Sequence, residues 1–210
     1  MFDCDGLLVD SSAVWARAFE AAAHEFGWVL DAQGQQRLRG SSVASAAAVL
    51  GRWLDAPVDR LRRLIGERLA VEVTQAPPVA LPGVIEFISD IHGEMPLAVA
   101  SNGPLELVQL MLERAGLLAA FETICTASQV GASKPDPTVY LEACDRVSAS
   151  PGMSFGFEDS LVGAAAVTNA GMSLIYVADT AADPPADADL AATTFADRRI
   201  VNFVVSRTAP

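Results

Sequence analysis

The sequence predicts an α/β fold: a doubly wound, parallel, Rossmann-like sheet with an α-helical unit inserted after the first strand. Three observations lead there. Residues 84–177 alternate short apolar strands with helical stretches, the order that builds a parallel sheet with helices on its faces. Residues 12–75 keep helical spacing throughout, with no alternating strand pattern. The breakers Gln75-Ala76-Pro77-Pro78 and Leu81-Pro82-Gly83 then close that helical stretch at a plausible hinge. The expected units are a core of residues 1–11 and 79–210 and a helical unit of residues 12–78.

The first strand is the apolar start Met1-Phe2 running into Asp3-Cys4-Asp5-Gly6. In extended chain alternate side chains share a face, so Asp3 and Asp5 can converge on one ligand while Cys4 turns to the core. Gly6 then lets the backbone turn without a Cβ penalty. Only two residues precede Asp3, where strands usually run to about five or six, so the strand is expected to begin upstream or to be cut short. Next, Trp15, Phe19, Ala22 and Phe26 form one helical stripe. Val43, Ala47, Leu50 and Leu54 form a second, and Leu61, Ile65 and Leu69 a third. Helices are expected over residues 84–91, 104–115, 137–147 and 161–170, and strands over 97–100, 122–126, 153–157 and 173–177.

A chain of 210 residues, 51% of them apolar, can bury one sizeable core and an insertion. Its formal charge of −12 argues against nucleic acid and anionic membrane surfaces as partners. No apolar run reaches the length of a membrane span and no signal peptide opens the chain, so the expected location is the cytoplasm, as a monomer or weak homodimer. Cys4, Cys125 and Cys144 form neither a disulfide framework nor a zinc pattern and are expected as small buried hydrophobes.

Sites in doubly wound sheets lie at the carboxyl ends of strands, and four such ends carry polar clusters. Asp3 and Asp5 repel each other, so they share a proton or neutralise a hard cation such as Mg²⁺; Asp-x-Asp-Gly is equally ordinary turn composition. Ser101-Asn102-Gly103 offers a hydroxyl and backbone N–H groups beside a helix start, suited to phosphate or to simple capping. Lys134, in Ser133-Lys134-Pro135-Asp136-Pro137, is placed to offset phosphate charge or to sit in solvent. Glu158 and Asp159, in Gly156-Phe157-Glu158-Asp159-Ser160, suit a metal, the alternative being an acidic helix N-terminus. Gly152-Met153-Ser154-Phe155-Gly156 matches a nucleophile elbow, but a loop precedes it and both histidines, His24 and His92, lie earlier in the chain. Those histidines fall on expected helices as surface residues.

Phe2-Asp3-Cys4-Asp5-Gly6-Leu7-Leu8-Val9-Asp10-Ser11 resembles the first motif of the haloacid dehalogenase superfamily, in its phosphatase and β-phosphoglucomutase-like branch, and the other three clusters follow in that family's order. The resemblance implies a Mg²⁺-dependent phosphatase acting on a small phosphorylated metabolite, such as a sugar phosphate. Asp3 would be the nucleophile that forms an aspartyl-phosphate and Asp5 the acid–base group. Ser101, Asn102 and Lys134 would bind phosphate. Asp3, the backbone carbonyl of Asp5 and Asp159, with Glu158 in support, would hold the metal. The helical unit would be a cap, with Arg37, Arg39 and Gly40 in its substrate-reading loop, the alternative for the arginines being a solvated helix face. The alternatives are a phosphosugar mutase and a catalytically impaired binding or regulatory protein on the same fold. A metal-free dehalogenase is disfavoured by Asp5. Mutases of the branch use a histidine on the first cap helix. The corresponding residue here is Trp15, which cannot accept a proton and is expected simply to pack with Phe19 and Phe26.

Overall fold

The structure, a computed structural model, describes residues 1–178 and 184–208. The helical stretch becomes α1 (Ser12–His24), α2 (Ala32–Leu38), α3 (Val43–Leu54) and α4 (Val58–Gln75). The alternating part becomes α5 (Val84–Ile91), β1 (Ala98–Ser101), α6 (Leu105–Arg114), β2 (Thr123–Thr126), α7 (Ala127–Val130), α8 (Thr138–Arg146), β3 (Phe155–Glu158), α9 (Leu161–Asn169) and β4 (Ser173–Val177). The chain then adds β5 (Leu190–Ala192) and α10 (Arg198–Thr208).

The first few residues lie between β1 and β3 and complete one parallel sheet. Phe2 N–H donates to Ala98 O at 2.9 Å and Ala100 N–H to Phe2 O at 2.8 Å; on the other edge Asp3 N–H donates to Phe157 O at 3.0 Å and Phe157 N–H to Met1 O at 2.9 Å. With β1 paired to β2, and β3 to β4 to β5, all in parallel, the order across the sheet is β2, β1, residues 1–3, β3, β4, β5. Short as it is, this stretch is central because Phe2 pairs on both sides. Its ring stacks on Phe157 with centroids 4.4 Å apart and meets Phe121 and Phe87 edge-on at 5.7 and 6.2 Å. Full burial of such a side chain contributes on the order of 1.5–3 kcal/mol, so aromatic packing anchors the strand that carries Asp3.

The chain enters and leaves the helical insertion through two neighbouring linkers. Asp10 N–H donates to Val79 O at 2.9 Å, Leu81 N–H donates to Leu8 O at 3.0 Å, and Val9 faces Ala80 in antiparallel pairing. Inside the insertion, Glu72 of α4 is buried, accepts a hydrogen bond from Arg17 of α1 and forms an ion pair with Arg68 at 3.2 Å. The three cysteines are buried, and both histidines are exposed. Among the described residues no helix is long and apolar enough to cross a membrane.

β3, β5 and α10 depart from expectation. The third named strand starts at Phe155, two residues late, because Pro151–Met153 form a 3₁₀ turn first. β5 and α10 lie beyond the last expected strand; α10 docks through the buried Ile200 and Val204.

Candidate active site

Three strand ends and one loop meet at a cavity of about 360 Å³ between the sheet and the insertion. Asp3 follows Phe2, Ser101 ends β1, Glu158 ends β3, and Lys134 arrives on the loop between α7 and α8. The Lys134 ammonium is buried and gathers the group: it donates to Asp3 Oδ1, to Glu158 Oε1 at 2.6 Å, to Ala100 O at 2.8 Å and to Tyr140 OH at 3.2 Å. Burial alone would favour the neutral amine, but the Asp3 and Glu158 carboxylates outweigh it and hold Lys134 above its usual range, as a cation. Tyr140 OH in turn donates to Glu158 Oε1 at 2.8 Å.

Glu158 is saturated. Besides Lys134 and Tyr140 on Oε1, its Oε2 accepts from the Ser160 hydroxyl at 3.1 Å and from the N–H groups of Asp159 and Ser160 at 3.2 and 3.4 Å. Space for this carboxylate depends on Gly163, where a Cβ would lie 1.9 Å from Glu158 Cδ. Gly6 has φ +84°, and a Cβ there would sit 2.6 Å from Asp159 Oδ2. The turn after Asp5 therefore requires glycine twice over, for its left-handed backbone and for the approach of Asp159.

The acidic groups are under electrostatic pressure. Burial pushes Asp3 well above the ordinary carboxylate range, with Lys134 opposing and Glu158, Asp159 and Asp5 reinforcing. Burial and then Glu158 raise Asp159 to about 7, against the pull of Arg39 and Lys134. Oxygen atoms of Asp3, Glu158 and Asp159 lie within 4.8 Å of one another. An oxygen-only donor set, with its negative charge incompletely balanced, fits a hard divalent cation. Because Glu158 already accepts five hydrogen bonds, Asp3 and Asp159 are the side chains with capacity to ligate, and Glu158 orients them through Lys134 and the 159–160 backbone.

Asp5 is held from both the core and the insertion. Its Oδ1 accepts from the Ser11 hydroxyl at 2.8 Å and from Trp15 Nε1–H at 2.6 Å, while Ser101 OH reaches Oδ2 at 3.4 Å. Burial raises the Asp5 pKa and the Trp15 and Ser11 donors restrain it. The expectation that Trp15 only packs is thus corrected: its ring does lie 5.6 Å from Phe19, but its indole N–H is a direct link from α1 to Asp5. Trp15→Phe keeps the ring and removes the donor. It is expected to lower kcat roughly 2- to 12-fold, the worth of one hydrogen bond, in a steady-state phosphate-release assay; an unchanged kcat would leave the link without a role in turnover.

The loop after α2 brings Arg39 and Gly40 to the cavity but not Arg37, which lines a separate surface groove with Trp28, Asp31 and Trp53. Arg37 lies in α2 and Arg39 just past its end, so the helix terminus divides the two arginines between sites. Asn102 lines the cavity with its carboxamide engaged: Nδ2–H donates to Gly40 O at 2.8 Å and Oδ1 accepts from Lys134 N–H at 3.0 Å. Tyr140, Trp15 and Ser11 were not among the expected site residues. Ser11 stood inside the first cluster, whereas Tyr140 and Trp15 read as apolar helix positions, since periodicity cannot report a polar tip. The elbow-like Ser154 is spent on Ser150 O at 2.8 Å.

Comparison with known proteins agrees with this geometry. The family model described as haloacid dehalogenase-like hydrolase matches residues 1–177. A fructose-1-phosphate phosphatase of Escherichia coli (strain K12) is 25% identical over 177 residues, 84% of this chain and 94% of that protein. A phosphorylated carbohydrates phosphatase of Thermotoga maritima is 26% identical over 181 residues, 84% of this chain and 82% of that protein. The crystal structure of a β-phosphoglucomutase from Clostridium difficile superposes with a TM-score of 0.86 at 18% identity, over 99% of this chain and 95% of that one, a likeness of fold. With a family match running from the first residue through β4, the chain belongs to the haloacid dehalogenase-like hydrolases.

Proposed function

We propose that the protein is a Mg²⁺-dependent phosphatase that hydrolyses a small phosphomonoester, in the class of sugar phosphates, through an aspartyl-phosphate at Asp3. One observation carries the reading: a buried lysine fixes Asp3 Oδ1 at the floor of a cavity that also presents Asp5, already held by Ser11 and by Trp15 of the insertion. The names of the phosphatase relatives support the substrate class.

In this reading Asp3 Oδ2 attacks phosphorus and the bond from phosphorus to the leaving oxygen breaks. Asp5 gives its proton to that oxygen, releasing an alcohol. Asp5 then takes a proton from water as the water oxygen attacks phosphorus, and the bond to Asp3 breaks, freeing phosphate. A carboxylate nucleophile needs no base to activate it, but it does need repulsion from the phosphate to be offset. Lys134 offsets part of that charge. Ser101 contributes phosphoryl contacts through its hydroxyl, and Asn102 through its backbone N–H. Asp3, Asp159 and the Asp5 carbonyl would hold Mg²⁺, whose role when bound is to neutralise the phosphoryl oxygens and the carboxylates together. The insertion acts as a cap that excludes water other than the attacking one. Trp15 can donate a hydrogen bond but cannot accept a proton, which favours hydrolysis over a mutase cycle needing a proton-accepting group at that position.

The test is release of inorganic phosphate from a panel of sugar phosphates, phosphoglycolate and nucleotides, with and without Mg²⁺. β-Glucose 1-phosphate with a trace of the 1,6-bisphosphate should yield phosphate; glucose 6-phosphate accumulating without it would establish a mutase. Asp159→Asn is expected to raise the Mg²⁺ concentration for half-maximal activity by roughly tenfold or more. An unchanged metal titration would move the ligand elsewhere.

A further inference from the structure

We infer that Asn102 is a positioning residue whose side chain couples closure of the helical insertion to the placement of Lys134. Its carboxamide spans two parts of the chain that face each other across the cavity. The amide N–H reaches the Gly40 carbonyl on the loop between α2 and α3, at 2.8 Å, and the amide oxygen takes the Lys134 backbone N–H at 3.0 Å. One partner is an acceptor and the other a donor, so the orientation is fixed and only a group with both functions satisfies them together. Asp would lack the donor, and Ser or Thr the reach.

The surroundings reinforce this bridge. Next to Lys134, the Ser133 hydroxyl donates to Ser42 Oγ at 2.9 Å, tying the same two loops a second time. Gly40 has φ +72°, and a Cβ on it would come within 3.2 Å of Ser160 Oγ. The insertion therefore touches the core with bare backbone at the point where Asn102 seizes it. Lys134 is the residue that holds Asp3 Oδ1 and Glu158 Oε1. Swinging the insertion away would remove the Gly40 carbonyl from one end of the amide and free that amide at the other, loosening the backbone that sets the ammonium. Closure and alignment of the nucleophile then become one event. The phosphate contact assigned above to Asn102 uses its backbone N–H and is compatible with this use of the side chain.

Hydrogen–deuterium exchange on the full chain separates the two arms of the bridge. Asn102→Asp keeps the acceptor for Lys134 N–H and sets a carboxylate oxygen against the Gly40 carbonyl. It is expected to speed exchange in residues 40–43 roughly 2- to 12-fold, the equivalent of one hydrogen bond, and to leave the Lys134 amide protected. Asn102→Ala is expected to release both. The consequence for turnover rests on the phosphatase reading: with a sugar phosphate the wild type hydrolyses, kcat should fall in both variants by at least the exchange factor while KM changes less. Wild-type exchange in residues 40–43 of Asn102→Asp would overturn the bridge, as would an unaltered Lys134 amide in Asn102→Ala. A fall in kcat with exchange unchanged in both would make Asn102 a phosphate ligand alone. If no sugar phosphate is hydrolysed, the activity reading fails, and the exchange pattern still decides the bridge. Should Asn102→Ala fail to fold, the nearly isosteric Asp variant carries the test.

Discussion

Asp3→Asn is expected to reduce phosphate release by roughly 10⁴-fold or more, the scale on which enzymes lose rate when a nucleophile is removed. Its melting temperature should hold or rise. The amide oxygen can still accept from Lys134, so the buried ammonium keeps a partner. At the same time one negative charge leaves a pocket where Glu158, Asp159 and Asp5 all oppose it. The pairing of a dead enzyme with an intact fold is what identifies a group doing chemistry. Activity above a trace would sink the covalent mechanism, and a collapsed fold would make Asp3 a structural residue instead. The measurements are a single-turnover assay with Mg²⁺ and a calorimetric scan of the same sample.

Lys134→Met should do the opposite to stability. The substitution keeps the length of the stem but removes the ammonium that joins Asp3 and Glu158, leaving buried carboxylates without their cation. Breaking a buried pair from one side costs about 3–5 kcal/mol, which for a chain of this size corresponds to a fall in melting temperature of roughly 6–20 °C. Mg²⁺ should restore part of the loss in the variant and give a smaller increment in the wild type, because the divalent ion neutralises the same carboxylates. A ligand at 100 times its dissociation constant stabilises by about 2.7 kcal/mol, large enough to read by calorimetry. A variant that melts at the wild-type temperature without metal would mean that the cluster is held by its neighbours and not by its charge balance.

Much of this site could be read from the sequence, for a specific reason. Asp3, Ser101 and Glu158 each sit at the end of a strand, with Lys134 on the longer loop after β2, and a parallel sheet brings such ends together whatever the details of packing. What was not legible depends on contacts across long separations. Trp15 lies on an apolar helical stripe, and nothing in that periodicity tells a buried indole N–H from a buried ring. Tyr140 follows Pro137 in an ordinary helix start, yet its hydroxyl sits between Lys134 and Glu158. Asn102 reads as a phosphate group because it follows Ser101, while its side chain bonds residues 62 and 32 positions away. In the fold, β5 was missed because three residues, Leu190–Ala192, are too short for an alternating pattern. α10 was missed because its interior also carries exposed apolar residues such as Val205, which blur the stripe made by Ile200 and Val204.

The paired linkers have a consequence for how such a chain can change. Since Leu8 to Asp10 and Val79 to Leu81 run side by side and are hydrogen-bonded to each other, the outgoing and returning strands form a closed neck. The chain beyond the neck can change in length without altering the distance that the sheet has to span, so long as α1 still brings a donor to Asp5 and the loop after α2 a carbonyl to Asn102. A graft cut at Asp10 and Val79 inherits a ready-made junction, so the whole of the proposed cap can be exchanged between two fixed ends.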